Sequence, residues 1–155
     1  LWVMTLEGLP EALVGNDREI SYGEWAVHTA LTLFALHQQG RSIENQPMSQ
    51  PGVLFGAALR NIIATEEDEK RLKRRFDAAA TSDSLLECSH HLRGLVQILK
   101  AKNQTLDYPR LAEDLYRFQF PDLRDFVRLQ WGRQFYSRSR KEISATEDQT
   151  HEKEG

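Results

Sequence analysis

A single cysteine, Cys88, stands in these 155 residues, so no internal disulfide can form, and a lone thiol fits a reducing compartment. Near a helix core it reads as a small packing group. No apolar run approaches the roughly 20 residues that span a bilayer, and the first residues lack a basic stretch followed by a signal-like apolar one. The chain therefore reads as cytoplasmic. No segment alternates polar and apolar residues for long, and no Asn-Gly or Asp-Gly hairpin signal appears, which removes the β classes.

Catalytic constellations are missing too. The five histidines form no HExxH, and one cysteine cannot form CxxC, so no metal site is expected. His90 and His91 are adjacent and would point about 100° apart on a helix, too far to chelate one ion together. Ser89 beside them is no nucleophile–base pair, because helical neighbours do not face each other and no glycine-flanked elbow is present. The glycines are scattered and form no phosphate loop. Acidic groups such as Glu66 to Glu69, or Glu113 and Asp114, read as first-turn capping and dipole partners. No cofactor is expected, and the reading is of a protein without enzymatic activity.

What the chain has is helical periodicity. Ser21-Tyr22-Gly23-Glu24 resembles a capping box, after which Trp25, His28, Leu31, Leu33, Phe34 and Ala35 form an apolar face that stops at Gly40. A shorter helix is expected between Leu1 and Val14, interrupted near Pro10. Residues 41–51 are polar, with two prolines and no period, and read as a surface loop. A helix from about Val53 to Ala64 turns Phe55, Leu59, Ile62 and Ile63 inward, and Gly56, Ala57 and Ala58 permit close approach of a neighbour. Thr65 to Asp68 resembles a second capping box, followed by Leu72, Phe76 and Ala79. Thr81 or Ser82 is expected to cap the next helix, with Leu85, Leu86, Ser89, Leu92, Leu95, Val96 and Leu99 on its face. Asp107 caps another, with Pro109 in its first turn and Leu111, Leu115 and Phe118 inside. Pro121 or Asp122 opens the last, with Leu123, Phe126, Val127, Trp131 and Phe135 inward.

The expectation is an all-α fold with length for one good core or two small helical lobes, which would be residues 1–64 with loop 41–51 and residues 65–141. Residues 142–155, acidic and without aromatics, read as a disordered tail.

Charge is unevenly spread. The net charge is -3, yet residues 1–40 and 142–155 each hold five acids and one base, which leaves +5 on residues 41–141. A basic body between acidic ends reads as a surface for polyanions. Lys70, Arg71, Lys73, Arg74 and Arg75 crowd one helix. Glu66 and Glu67 can pair with Lys70 and Arg71 at a spacing of four, which leaves Arg74 and Arg75 as the better candidates. Arg93 and Lys100 share a face of the next helix, Arg110 and Arg117 repeat that seven-residue spacing, and Arg124, Arg128 and Arg133 flank the last. All twelve are candidate nucleic-acid contacts. Trp25, Trp131 and Phe135 read as core rather than base-stacking platforms.

These stretches also carry a resemblance. LRGLVQIL, LDYPRLAEDLY and DFVRLQWGRQFY, preceded by Gly52 to Arg60 and a basic helix, resemble the CasB family, the small subunit of the type I-E CRISPR surveillance complex Cascade. The resemblance covers roughly Trp25 to Tyr136. It implies an all-helical, non-catalytic protein, a two-lobed helical bundle whose two copies associate head to tail. Their basic surface would hold crRNA, target DNA and the displaced strand among the other Cascade subunits, while base pairing reads sequence. By position it matches Arg93, the Lys70 to Arg75 helix, Arg124 and Arg128 to basic positions of the family pattern. Gly94 stands where family members often have a second arginine. The family pattern also has a basic helical segment before the one starting here at Leu1. The alternative from the residues alone is a helical protein-interaction adaptor without direct nucleic-acid contact.

Overall fold

The computed structural model describes Pro10 and residues 19–137. Six helices follow in chain order: α1 Tyr22–Gln38, α2 Phe55–Asn61, α3 Glu66–Ala80, α4 Leu85–Ala101, α5 Tyr108–Phe118 and α6 Pro121–Tyr136. No strand occurs among the described residues, where an isolated parallel bridge joins Ser49 and Leu106. The fold is all-α, as the periodicities require. The helix expected between Leu1 and Val14 and the acidic stretch 142–155 lie outside the described residues, Pro10 apart.

Local chemistry sets most helix starts. Ser21 Oγ accepts from the Glu24 amide while Glu24 accepts from the Ser21 amide, a complete capping box. Thr65 accepts from the Asp68 amide, and Asp68 reaches back to the Ala64 amide rather than to the cap itself. Asp107 caps α5 by accepting from the Arg110 amide, with Pro109 in the first turn. α4 starts later than expected: Ser84 is its cap, accepting from Glu87. Ser82 is buried instead, its hydroxyl donating to the Ala78 carbonyl at the end of α3. α2 is shorter than the 53–64 span expected, because Ile62 and Ile63 leave the helix and become half-buried packing groups.

The core is one cluster running from Ala26 to Phe135, shared by the described parts of segments 1–64 and 65–141. α1 packs on α4 and α5, α2 and α5 pack on α6, and α3 lies along α4. Trp131 is its largest fully buried side chain. Its ring lies nearly parallel to Phe118 at 5.8 Å and edge-on to Phe55 at 4.7 Å, while Phe76 stacks on Phe135 at 4.6 Å. Each such burial contributes about 1.5–3 kcal/mol before entropy is counted. The small residues of α2 do what their size permits: a Cβ on Gly56 would collide with the Trp131 carbonyl and sit 2.8 Å from the Phe135 amide nitrogen.

Several apolar side chains face outward against expectation. Trp25, Leu31, Leu86, Leu123 and Phe126 are exposed, as is Ala35. A stripe of 3.6-residue period predicts which side of a helix is apolar; it does not reveal where a neighbouring helix ends and leaves that side open. Among the described residues no helix is long and apolar enough to cross a membrane.

Loop 41–51 is held down. Arg41 donates to the Lys100 carbonyl at 2.6 Å and to Asn103 Oδ1 at 2.8 Å, and Gln38 Oε1 accepts from the buried Met48 amide. The Gln50 amide donates to the Leu106 carbonyl at 3.0 Å and the Leu106 amide to the Met48 carbonyl at 2.9 Å. Thr105 Oγ1 donates to Gln50 Oε1 at 2.7 Å.

Candidate nucleic-acid interface

The twelve expected cations divide by what their side chains touch. On α3, Arg71 pairs with Asp68 at 3.2 Å and Lys73 with Asp77 at 2.8 Å. The expected Glu67 to Arg71 pairing is replaced by Asp68, because a spacing of three also brings side chains together on a helix. The Asp77 hydrogen bond raises the Lys73 pKa, helped by the Tyr136 hydroxyl. Lys70, Arg74 and Arg75 are exposed and have no ion-pair or hydrogen-bond partner among the described residues.

Arg93 on α4 is likewise exposed and unpaired, and it converges with Arg74 and Arg75 on a groove of about 390 Å³ between α3 and α4. Ala78, His90, His91, Gly94 and Gln97 complete the walls, and the two imidazoles lie 5.5 Å apart. Gly94 forms part of the floor. A Cβ there would meet only Arg75 Nη1, at 3.1 Å, so the missing side chain lets the Arg75 guanidinium lie over α4. Three fixed cations without an acid among the lining residues form a concentrated positive field open to solvent. The spacings along the chain exclude His90 and His91 as a metal or nucleophile pair but do not place them, or Gln97, in a groove. Their signal was the spacing to Gly94, which puts them on the side of α4 that meets α3.

The remaining cations, Arg133 apart, are engaged in the fold. Lys100 Nζ donates to the Leu36 carbonyl at 3.2 Å, so it does not share an open face with Arg93. Arg124 Nε donates to the Phe118 carbonyl at 2.8 Å, and its guanidinium lies 5.3 Å from the Phe118 ring centre. Arg128 bonds the Ala80 carbonyl at 2.5 Å and the Ser82 carbonyl at 2.8 Å, and pairs with Asp125 at 3.1 Å. It joins the end of α3 to α6. Arg133 is exposed on α6 and has no partner among the described residues.

Arg110 and Arg117 flank Asp114, at 3.6 and 3.9 Å. Contrary to the expectation for Glu113 and Asp114, both lie beyond the first turn of α5; Asp114 is buried and accepts from Trp131 Nε1 at 2.9 Å. Burial raises its pKa, while the Trp131 hydrogen bond and the two arginines oppose the rise. His37, fully buried, has Nδ1 2.9 Å from the Tyr108 hydroxyl, and burial lowers its pKa. Burial pushes the Cys88 thiol up to about 12, far from a reactive thiolate. Among the described residues no group of three or more His, Cys, Asp or Glu could hold a metal ion.

Residues 3–136 match the family model described as CRISPR-associated protein Cse2. The crystal structure of CasB from Thermobifida fusca is similar at 30% identity and a TM-score of 0.68, covering 88% of this chain and 83% of that one. No curated protein matches the chain by sequence. The length of the family match and the identity to a solved structure of the same fold lead to one conclusion: this chain belongs to the CRISPR-associated Cse2 family.

Proposed function

We propose that this chain is a non-catalytic, nucleic-acid-holding small subunit of a type I-E Cascade complex, in which it steadies crRNA, target DNA and the displaced strand of the R-loop. Family membership supports a role as a Cascade subunit in CRISPR defence. The observation that carries the finer reading is the α3–α4 groove, where Arg74, Arg75 and Arg93 converge without acidic partners. Lys70 and Arg133 are open cations that can extend the contact. Such a surface holds phosphates and leaves the reading of bases to the guide. In this reading two copies lie head to tail beside the other Cascade subunits in the cytoplasm.

The test is a Cascade reconstituted with Arg74→Glu, Arg75→Glu and Arg93→Glu together. R-loop lifetime should fall, and the dependence of log affinity on log salt should become shallower by about 2, as expected for three lost phosphate contacts to a single strand. Unchanged lifetime and slope overturn the reading. One observation favours the adaptor alternative: Leu123, Phe126, Leu129 and Tyr136 leave an exposed apolar row on α6. Under that alternative, Phe126→Ser with Leu129→Ser removes the chain from the complex, while the groove reversals change nothing.

A further inference from the structure

We propose that the acidic segment 142–155 of this chain docks in the α3–α4 arginine groove and competes there with nucleic acid. The competition rests on the function proposed above; the docking does not. Charge complementarity is the first argument. The groove gathers three guanidiniums with no acid of its own, while segment 142–155 carries Glu142, Glu147, Asp148, Glu152 and Glu154 against a single Lys153. Most other cations of the described region already have a carboxylate or a carbonyl; the groove is where several positive charges lie together unmatched.

Reach is the second. α6 ends at Tyr136, whose ring lies 6.4 Å from that of Phe76, the residue next to Arg75 in the chain. The chain thus leaves the described fold beside the helix that forms one wall of the groove. Ten residues from 138 to 147 span up to about 33–36 Å, so Glu147 and Asp148 can arrive there. The order of charges adds a third point: Arg138, Arg140 and Lys141 come first and the carboxylates only after them. The basic stretch is repelled by the groove while the acidic one is drawn in. Tethering supplies an effective concentration on the order of millimolar, enough for a weak contact to be populated and for a polyanion to displace it. Casual encounters with nucleic acid are thereby disfavoured relative to a strand already held by the rest of a complex.

The test compares the full chain with a variant carrying Glu142→Gln, Glu147→Gln, Asp148→Asn, Glu152→Gln and Glu154→Gln. A fluorescein-labelled oligothymidine should bind the variant about three- to tenfold more tightly at about 50 mM salt, and the two curves should merge near 300 mM. Equal affinity at low salt overturns competition. If the gain persists after Arg74, Arg75 and Arg93 are all changed to Glu, the segment acts on the oligonucleotide through net charge alone and competition at the groove is overturned. A readout without nucleic acid separates the two ideas: neutralising the segment should shift the backbone amide resonances of Gly94 and Gln97. Unmoved resonances overturn docking. Shifted resonances together with oligonucleotide binding indifferent to groove reversal uphold docking and overturn the nucleic-acid reading instead.

Discussion

The α3–α4 groove and the corner where α6 meets α3 and α5 use the same residue type for opposite purposes. In the groove Arg74, Arg75 and Arg93 face solvent without a partner among the described residues. At the corner Arg124 and Arg128 bond carbonyls at the ends of neighbouring helices and lie against Phe118. The difference is the presence of orphan acceptors. A helix end leaves carbonyls without intrahelical donors, and an arginine within reach becomes a strut. Along a helix wall every carbonyl is already taken, and the same side chain stays available to an outside anion.

The contrast can be broken from its most rigid point outward. Gly56→Ala should have the largest effect, about 3 kcal/mol or more of lost stability by urea unfolding, since backbone at Trp131 and Phe135 would have to move. Loss of less than 1 kcal/mol would mean that α2 and α6 part easily. Arg128→Ala comes next, at about 2–3 kcal/mol, because the Ala80 and Ser82 carbonyls lose a charged donor. Oligonucleotide affinity of the folded protein should remain unchanged; a tenfold loss of affinity with intact stability would move Arg128 to the binding surface.

The third probe is pH. Burial holds the His37 pKa below 6.5, so the unfolded chain takes up that proton first, and stability falls as pH drops through and below 6.5. The slope is at most about 1.4 kcal/mol per pH unit for one group. His37→Gln should flatten the melting profile between about pH 5 and 7, apart from a contribution of the same sign from His28, whose pKa is also lowered. A profile unchanged by the substitution would remove His37 from the account.

Gly94→Ala should be the mildest change and of opposite sign to Gly56→Ala: about 0.5–1 kcal/mol more stable from helix propensity. Here only the end of the Arg75 side chain must shift. Oligonucleotide affinity should fall by no more than about threefold, roughly half a hydrogen bond's worth. A destabilised Gly94→Ala would show that the groove floor is as rigid as the corner.

Much of this fold was legible in the chain. The Ser21 box, the Asp107 cap with Pro109, and the Leu92, Leu95, Val96 and Leu99 stripe depend on residues within one or two turns, and the structure agrees with each. The start of α4 was legible too, in Ser84 three residues before Glu87, whereas the exposure of Trp25, Leu123 and Phe126 depends on where other helices stop. The site divided along the same line. Arg74 and Arg75 stand out in the sequence because Glu66 and Glu67 can serve Lys70 and Arg71; in the fold Asp68 takes Arg71 and Asp77 takes Lys73, and the two arginines are open. The ties of Lys100 to Leu36, and of Arg128 to Ala80, join residues far apart in sequence, and no spacing rule along one helix could reveal them.

The bridge between Ser49 and Leu106 bears on how the chain folds in time. Its hydrogen bonds, with the Thr105 to Gln50 pair 55 residues apart in sequence, enclose α2, α3 and α4 within one long loop. Closing a loop of that length is entropically costly until the enclosed helices have shortened the gap. We expect the strap to latch late, so that pulse-labelled refolding protects the amides of α4 before those of Gln50 and Leu106. Simultaneous protection would mean that the strap forms with the nucleus and not after it.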